Sequence, residues 1–200
     1  MTRLSHHFAA VAIVIACVAP AGAFADGSAR DTLFSAYQKM LNARYVADTV
    51  SVDAKGRETT SKVEFDTINR FRATTAETSF VVLPEGTWMR SGNGAWTQPP
   101  IDMSAMIKHL VPAALDDVRA GTSNIKDEGT QSIGGQEARV ISYDVNTKIM
   151  SFNVSSHNKV YIDASGHIVR SESDSTAMGH TSHSVQSIRY DDSVRISAPN

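Results

Sequence analysis

The chain has 200 residues, 42% of them hydrophobic, and a formal net charge of −2 from 19 basic and 21 acidic residues. One cysteine rules out an intramolecular disulfide framework, and the absence of a basic block removes the electrostatic footprint of a nucleic-acid binder.

The first 25 residues read as a secretory signal. Arg3 gives a basic start, Phe8 to Cys17 is an unbroken apolar run, and Ala23-Phe24-Ala25 puts small residues where a signal peptidase cuts. The apolar run is about half the roughly 20 residues that a membrane span needs. Cleavage after Ala25 leaves 175 residues with 18 basic and 21 acidic side chains, enough for one domain with a substantial core. Cys17 departs with the leader, so the mature chain must hold together by packing alone. A second reading stands beside this one. Val14-Ile15-Ala16-Cys17 is similar to a lipobox, in which Cys17 is lipidated and anchors the protein to a membrane. The good site at Ala25 favours the first reading: residues 1–25 as signal peptide, 26–200 as a single soluble periplasmic domain.

Ser28 to Arg44 predicts a helix, with Leu33, Phe34, Tyr37, Met40 and Leu41 on one apolar stripe and Asp26 or Ser28 as its cap. Strands follow over Tyr45–Asp53, Arg57–Asp66, Arg70–Thr75 and Ser79–Leu83, separated by short polar turns. Thr87–Ser91 and Ala95–Gln98 form a hairpin around Gly92-Asn93-Gly94. A two-residue turn at Asn93-Gly94 is the preferred register and sends Trp88 and Trp96 to opposite faces; a three-residue loop puts both on one face. Pro99-Pro100 breaks the ladder, and Asp102 to Leu115 predicts a second helix, kinked or ended by Pro112. Strands resume at Ser123–Ile133, Gln136–Val145, Ile149–Val154, Lys159–Ile162, His167–Ser173 and Thr181–Tyr190, with Val194, Ile196 and Ala198 as a closing segment. This order predicts an α+β architecture: one antiparallel sheet with the helices gathered on one face.

No catalytic motif stands out, and no enzyme activity, cofactor or metal is expected. His180 and His183 are the nearest approach to a metal pair, but their odd spacing in a strand separates them to opposite faces. His109 reads as a polar neighbour at a helix edge. The methionines (Met40, Met89, Met103, Met106, Met150, Met178) suit either a core or an adaptable apolar pocket.

Several phrases, in this order, carry a family resemblance. They are Ala43-Arg44-Tyr45 after the helix, Asn69-Arg70-Phe71-Arg72, Gly86-Thr87-Trp88 with Gly94-Ala95-Trp96, Val160-Tyr161-Ile162-Asp163, and Tyr190-Asp191-Asp192-Ser193-Val194-Arg195-Ile196. Together they resemble the LolA-like superfamily of periplasmic lipoprotein and lipid carriers, which includes the mycobacterial LppX/LprG lipoproteins. The resemblance implies a strongly curved antiparallel sheet, an unclosed half-barrel, with helices covering its concave face and acyl chains held between them. The cavity lining this implies is Phe65, Phe71, Trp88, Trp96, Met103, Met106, Ile107, Leu110 and Tyr143. In the lipoprotein carrier an arginine on the sheet bonds to the lid; Arg70 and Arg72 are candidates, and the role is carried over to neither. The expected function is a non-enzymatic carrier or binder of lipid or lipoprotein acyl chains, with transfer partners at the inner or outer membrane and no nucleic acid. The alternative is an envelope sensor or interaction module that docks a protein, through an exposed sheet edge, without lipid cargo.

Overall fold

The computed structural model describes residues 28–99, 119–149, 152–177 and 179–199. One helix, α1 (Ala29–Leu41), precedes five strands: β1 (Tyr45–Asp53), β2 (Glu58–Thr67), β3 (Arg70–Thr75), β4 (Thr78–Leu83) and β5 (Gly86–Ser91). Five more follow: β6 (Thr122–Ile133), β7 (Gln136–Ile149), β8 (Phe152–Ile162), β9 (Ile168–Ala177) and β10 (His180–Tyr190). All ten form one antiparallel sheet in the order β5-β4-β3-β2-β1-β10-β9-β8-β7-β6. The sheet is unclosed, and its edge strands β5 and β6 are consecutive in the sequence. Residues 100–118 therefore join opposite edges. The expected helix at Asp102–Leu115 lies outside the described residues, as do the first 27. No helix among the described residues is long and apolar enough to cross a membrane.

α1 begins where its cap chemistry begins. The Ser28 hydroxyl accepts the Asp31 amide, and the acidic Asp31 sits in the first turn, favourable to the helix dipole. It ends at Leu41, three residues short of the predicted end, because Asn42 caps it and Tyr45 already pairs in β1. Its apolar stripe meets the sheet. Leu33, Phe34, Ala36 and Met40 share one cluster with residues of eight adjacent strands, among them Phe71 and Val82 on one side and Ile141 and Val160 on the other. A flat run of eight strands is roughly 34 Å across, while a 13-residue helix is about 20 Å long. A single cluster of this breadth requires the sheet to bend around α1, so the face that α1 covers is called the inner face.

Several expectations change. Met89 and Thr97 exchange both backbone hydrogen bonds, at 2.8 and 2.9 Å. This sets Arg90 opposite Trp96, the three-residue register, and puts Trp88 and Trp96 on the same face. The second arm of this hairpin is reduced to that one bridge. Ile149 ends β7, and the Phe152–Val154 part of the next predicted strand joins Lys159–Ile162 in the single strand β8. The polar run Ser155-Ser156-His157-Asn158 between them still pairs, because the ladder is made by backbone groups. The Val194–Ala198 segment adds no strand. It crosses the outer face, where Ile196 packs with Val81, Leu83, Trp88 and Trp96.

A β-bulge fixes this tail. The β2–β3 register skips Asp66, whose carboxylate turns outward to accept Arg44 Nε at 2.6 Å and the Ile196 amide at 3.4 Å. Arg70 also donates to the Ile196 carbonyl at 3.4 Å. Burial alone pushes the Asp66 carboxyl up, but the Arg44 and Ile196 hydrogen bonds and the charges of Arg44 and Arg195 hold it below its ordinary value.

Candidate binding face

The register sorts inner-face side chains into rows that run across the strands. The first row is Thr87, Val82, Phe71, Phe65, Tyr45 and Tyr190. The next is Met89, Phe80, Ala73, Val63, Ala47 and Ile188. Tyr45 stacks on Phe65 with ring centroids 4.7 Å apart. Burial, and the neighbouring Tyr190 and Tyr37, raise the Tyr45 phenol above its ordinary range, so it stays neutral. In the second row Val63, Ala73, Phe80 and Met89 are only half-buried. They form an apolar strip beside the helix-covered core.

The composition then changes. Thr75, Ser61, Thr49, Gln186 and Ser171 form a third row; Thr59, Ser51, Ser184, Ser173 and Asn158 a fourth; Ser182, Ser175 and Ser156 lie in a fifth. Apart from Asp53, which opposes Ser182 at the end of the fifth row, these rows are uncharged. They bond to one another: Gln186 Nε2 donates to Thr49 Oγ1 at 3.1 Å, Ser51 and Ser184 hydroxyls meet at 2.8 Å, Ser173 and Ser175 at 2.9 Å, and Asn158 donates to Ser156 Oγ at 2.9 Å. The inner face therefore has two zones, one apolar and one lined by hydroxyls and amides. Beyond the hydroxyl zone, Ile141, Tyr143 and Val145 on β7 return to apolar contacts with the α1 core.

The helix is tied to this far side by polar bonds. The Tyr37 and Tyr143 hydroxyls share a hydrogen bond, and burial raises both phenols. Arg139 donates to Thr32 Oγ1 at 2.9 Å and to Asp127 at 2.9 Å. An arginine on the sheet thus does bond to a helix. It is Arg139, whereas Arg70 and Arg72 engage Ile196 and Glu64.

Of the residues singled out in the sequence, Phe65, Phe71 and Tyr143 lie together in the α1 cluster. Trp88 and Trp96 pack instead on the outer face, with Arg90 over the Trp96 ring at 4.7 Å. Met103, Met106, Ile107 and Leu110 lie outside the described residues. His183 projects outward to Asp174 at 2.8 Å. Among the described residues no group of three His, Cys, Asp or Glu side chains forms a metal-sized cluster. Sequence reasoning missed the strip residues Ala73 and Phe80 and the whole hydroxyl zone. The available signal was alternation of small polar residues in β9 and β10, which on one strand is the signature of any wet face.

No protein-family model matches the chain, and no curated protein matches its sequence. Solved structures do match. The Mycobacterium tuberculosis lipoprotein LppX aligns over 86% of this chain and all of its own, with a TM-score of 0.57 at 14% identity. LprF from Mycobacterium bovis aligns over 86% of this chain and 96% of its own, with a TM-score of 0.56 at 12% identity. The chain therefore shares the fold of LppX and LprF.

Proposed function

We propose that this chain binds acyl chains of a lipid or lipoprotein in the bacterial envelope and carries them, without catalysing a reaction. The observation that supports this reading most is the half-buried strip of Val63, Ala73, Phe80 and Met89 beside the helix-covered core, in a fold shared with LppX. An acyl chain laid on that strip gains about 0.8 kcal/mol for each methylene taken from water, and nothing charged projects from it. In this reading residues 1–25 are the export signal. The connecting segment, with Met103, Met106, Ile107 and Leu110, supplies the other wall, and Phe65, Phe71 and Tyr143 form the floor on which α1 rests. Trp88 and Trp96 hold the C-terminal tail rather than cargo.

Native mass spectrometry of the protein purified from a bacterial envelope tests the reading. A co-purified lipid is the expected result. A lipid-free protein in stable complex with another protein overturns it in favour of the interaction module. For that alternative β6 is the obvious template, being exposed along nearly its whole length. However, Lys126, Asp127 and Glu128 and two breaks in its register make it a poor edge for strand addition.

A further inference from the structure

On the outer face, the C-terminal tail lies against the sheet as a bound peptide would. Of residues 191–199 only Ile196 is fully buried, and it packs with Val81, Leu83, Trp88 and Trp96, with Val194 partly in the same cluster. The Ile196 amide donates to Asp66 and its carbonyl accepts from Arg70, both at 3.4 Å, long for such bonds. The Arg195 guanidinium turns back to the tail's own carbonyls, at Asp192 and Val194, and Ser197 and Ala198 are exposed. Beyond Val194, one aliphatic side chain and two long hydrogen bonds therefore hold the tail to the sheet among the described residues.

The groove under it is built from contacts that do not need the tail. Asp66 is held by Arg44 at 2.6 Å, Arg72 by Glu64 at 3.3 Å and Arg70 by Glu85 at 3.6 Å. The Met89–Thr97 bridge fixes the arm that carries Trp96, and Arg90 stacks on that ring at 4.7 Å. The register sets Arg72 opposite Val81 and Arg90 opposite Ser79, so the two guanidinium groups flank the apolar pocket from either side of β4. The Nε of each is shut away from water and has no hydrogen-bond acceptor among the described residues. A buried donor without an acceptor costs free energy. The tail thus fills the apolar pocket but leaves the donors beside it unmet.

We propose that this groove is a peptide-docking site, occupied in cis by the tail, whose partner is an extended segment of another protein with an Ile, Val or Leu anchor followed by acidic side chains. The anchor takes the place of Ile196, and its backbone keeps the bonds to Asp66 and Arg70. A carboxylate after the anchor supplies the acceptor that Arg90 and Arg72 lack, as a charge-assisted bond. The acid belongs on that side of the anchor, because the preceding position places Arg195 near the Asp66 carboxylate, where a second carboxylate would be repelled. With Ser197 and Ala198 after its anchor, the chain's own tail is a weaker occupant that a better-matched segment displaces. The site lies on the opposite face of the sheet from the apolar strip, and it stands whether or not acyl chains bind there.

The test uses the full mature protein and three labelled synthetic peptides, read by fluorescence anisotropy. The tail peptide spans residues 191–199, the acidic peptide carries Ser197→Glu and Ala198→Glu, and the third adds Ile196→Ser to the acidic one. Ile196→Ser in the protein releases the cis anchor, so this variant should bind the acidic peptide more tightly than the unsubstituted protein does. It should bind the acidic peptide about tenfold or more tighter than the tail peptide, the scale of a charged hydrogen bond gained. Adding Arg90→Gln should remove that preference and leave the tail peptide's affinity unchanged. The peptide without its anchor should not bind, a control that needs no change in the protein. No binding of the acidic peptide to the Ile196→Ser protein overturns the proposal, as does equal binding with and without the anchor. A preference for acid that survives Arg90→Gln overturns it too. Tail and acidic peptides that bind equally, with dimers of the unsubstituted protein on gel filtration, would give the groove to the tail of a second copy and also overturn it.

Discussion

The two zones of the inner face share one sheet and one register, yet differ in what they can hold. In the apolar zone Phe65, Phe71 and Tyr45 are closed off by α1, and Val63, Ala73, Phe80 and Met89 extend the same chemistry into the open. In the hydroxyl zone, only two residues further along the same strands, Ser and Thr replace Val and Phe and satisfy each other across β1 and β10. A buried polar group costs free energy unless it keeps a partner. The hydroxyl zone therefore resists an acyl chain, while the apolar strip gains from one. The fold supplies a curved wall; side-chain chemistry divides that wall into a greasy part and a wet part.

The comparison is broken most severely at its floor. Phe65→Ala should destabilise the protein by about 3–5 kcal/mol, since it opens a cavity at a fully buried ring that stacks on Tyr45. Chemical denaturation measures this. A loss below about 1 kcal/mol would mean that the cluster can collapse around the gap.

Charge placed on the open strip tests binding rather than folding. Phe80→Asp and Met89→Asp should each weaken a fluorescent fatty-acid probe by about 2 kcal/mol, roughly thirtyfold, with a smaller loss in melting temperature. Met106→Asp and Leu110→Asp should do the same if the connecting segment forms the other wall. Unchanged probe affinity in all four variants removes the acyl reading from this face.

On the outer face the C-terminal tail is held by a titratable carboxylate, Asp66. Because the Asp66 pKa is depressed on folding, its contribution is complete above the unfolded carboxylate value, roughly pH 4. It is lost as pH falls through the depressed folded value. The two tryptophans of the chain, Trp88 and Trp96, both pack beside the tail and report on its release. Tryptophan fluorescence should change at acid pH before the far-ultraviolet signal of the sheet. Asp66→Asn should weaken tail attachment by about 1–3 kcal/mol at neutral pH and abolish the acid-linked step. A fluorescence transition that persists in this variant would assign it to another group.

The smallest effect sharpens the boundary itself. Ser61 adjoins Val63 and makes no hydrogen bond that fixes it among the described residues. Ser61→Val should extend the strip and strengthen probe binding a few-fold, on the scale of about 0.8 kcal/mol per added methylene. Weaker binding would mean that the hydroxyl zone contacts the probe directly.

The sequence alone was enough for the elements that depend on local periodicity. The stripe of α1, its Ser28 cap, most strand positions and the single antiparallel sheet follow from spacings within a few residues. A resemblance spread over short phrases was enough to point to the fold shared with LppX. Tertiary structure decided what depends on register and on long-range partners. The inner hydroxyls occupy alternate positions on six strands, and only pairing across those strands assembles them into a zone. Trp88 and Trp96 share the outer face because Met89 pairs with Thr97, a one-residue difference that reverses a face. Ile196 is buried because Asp66, displaced by a bulge, reaches its amide from 130 positions earlier in the chain. Side-chain alternation is written in each strand, but which face is inward, and what meets it there, is fixed only when distant strands pair.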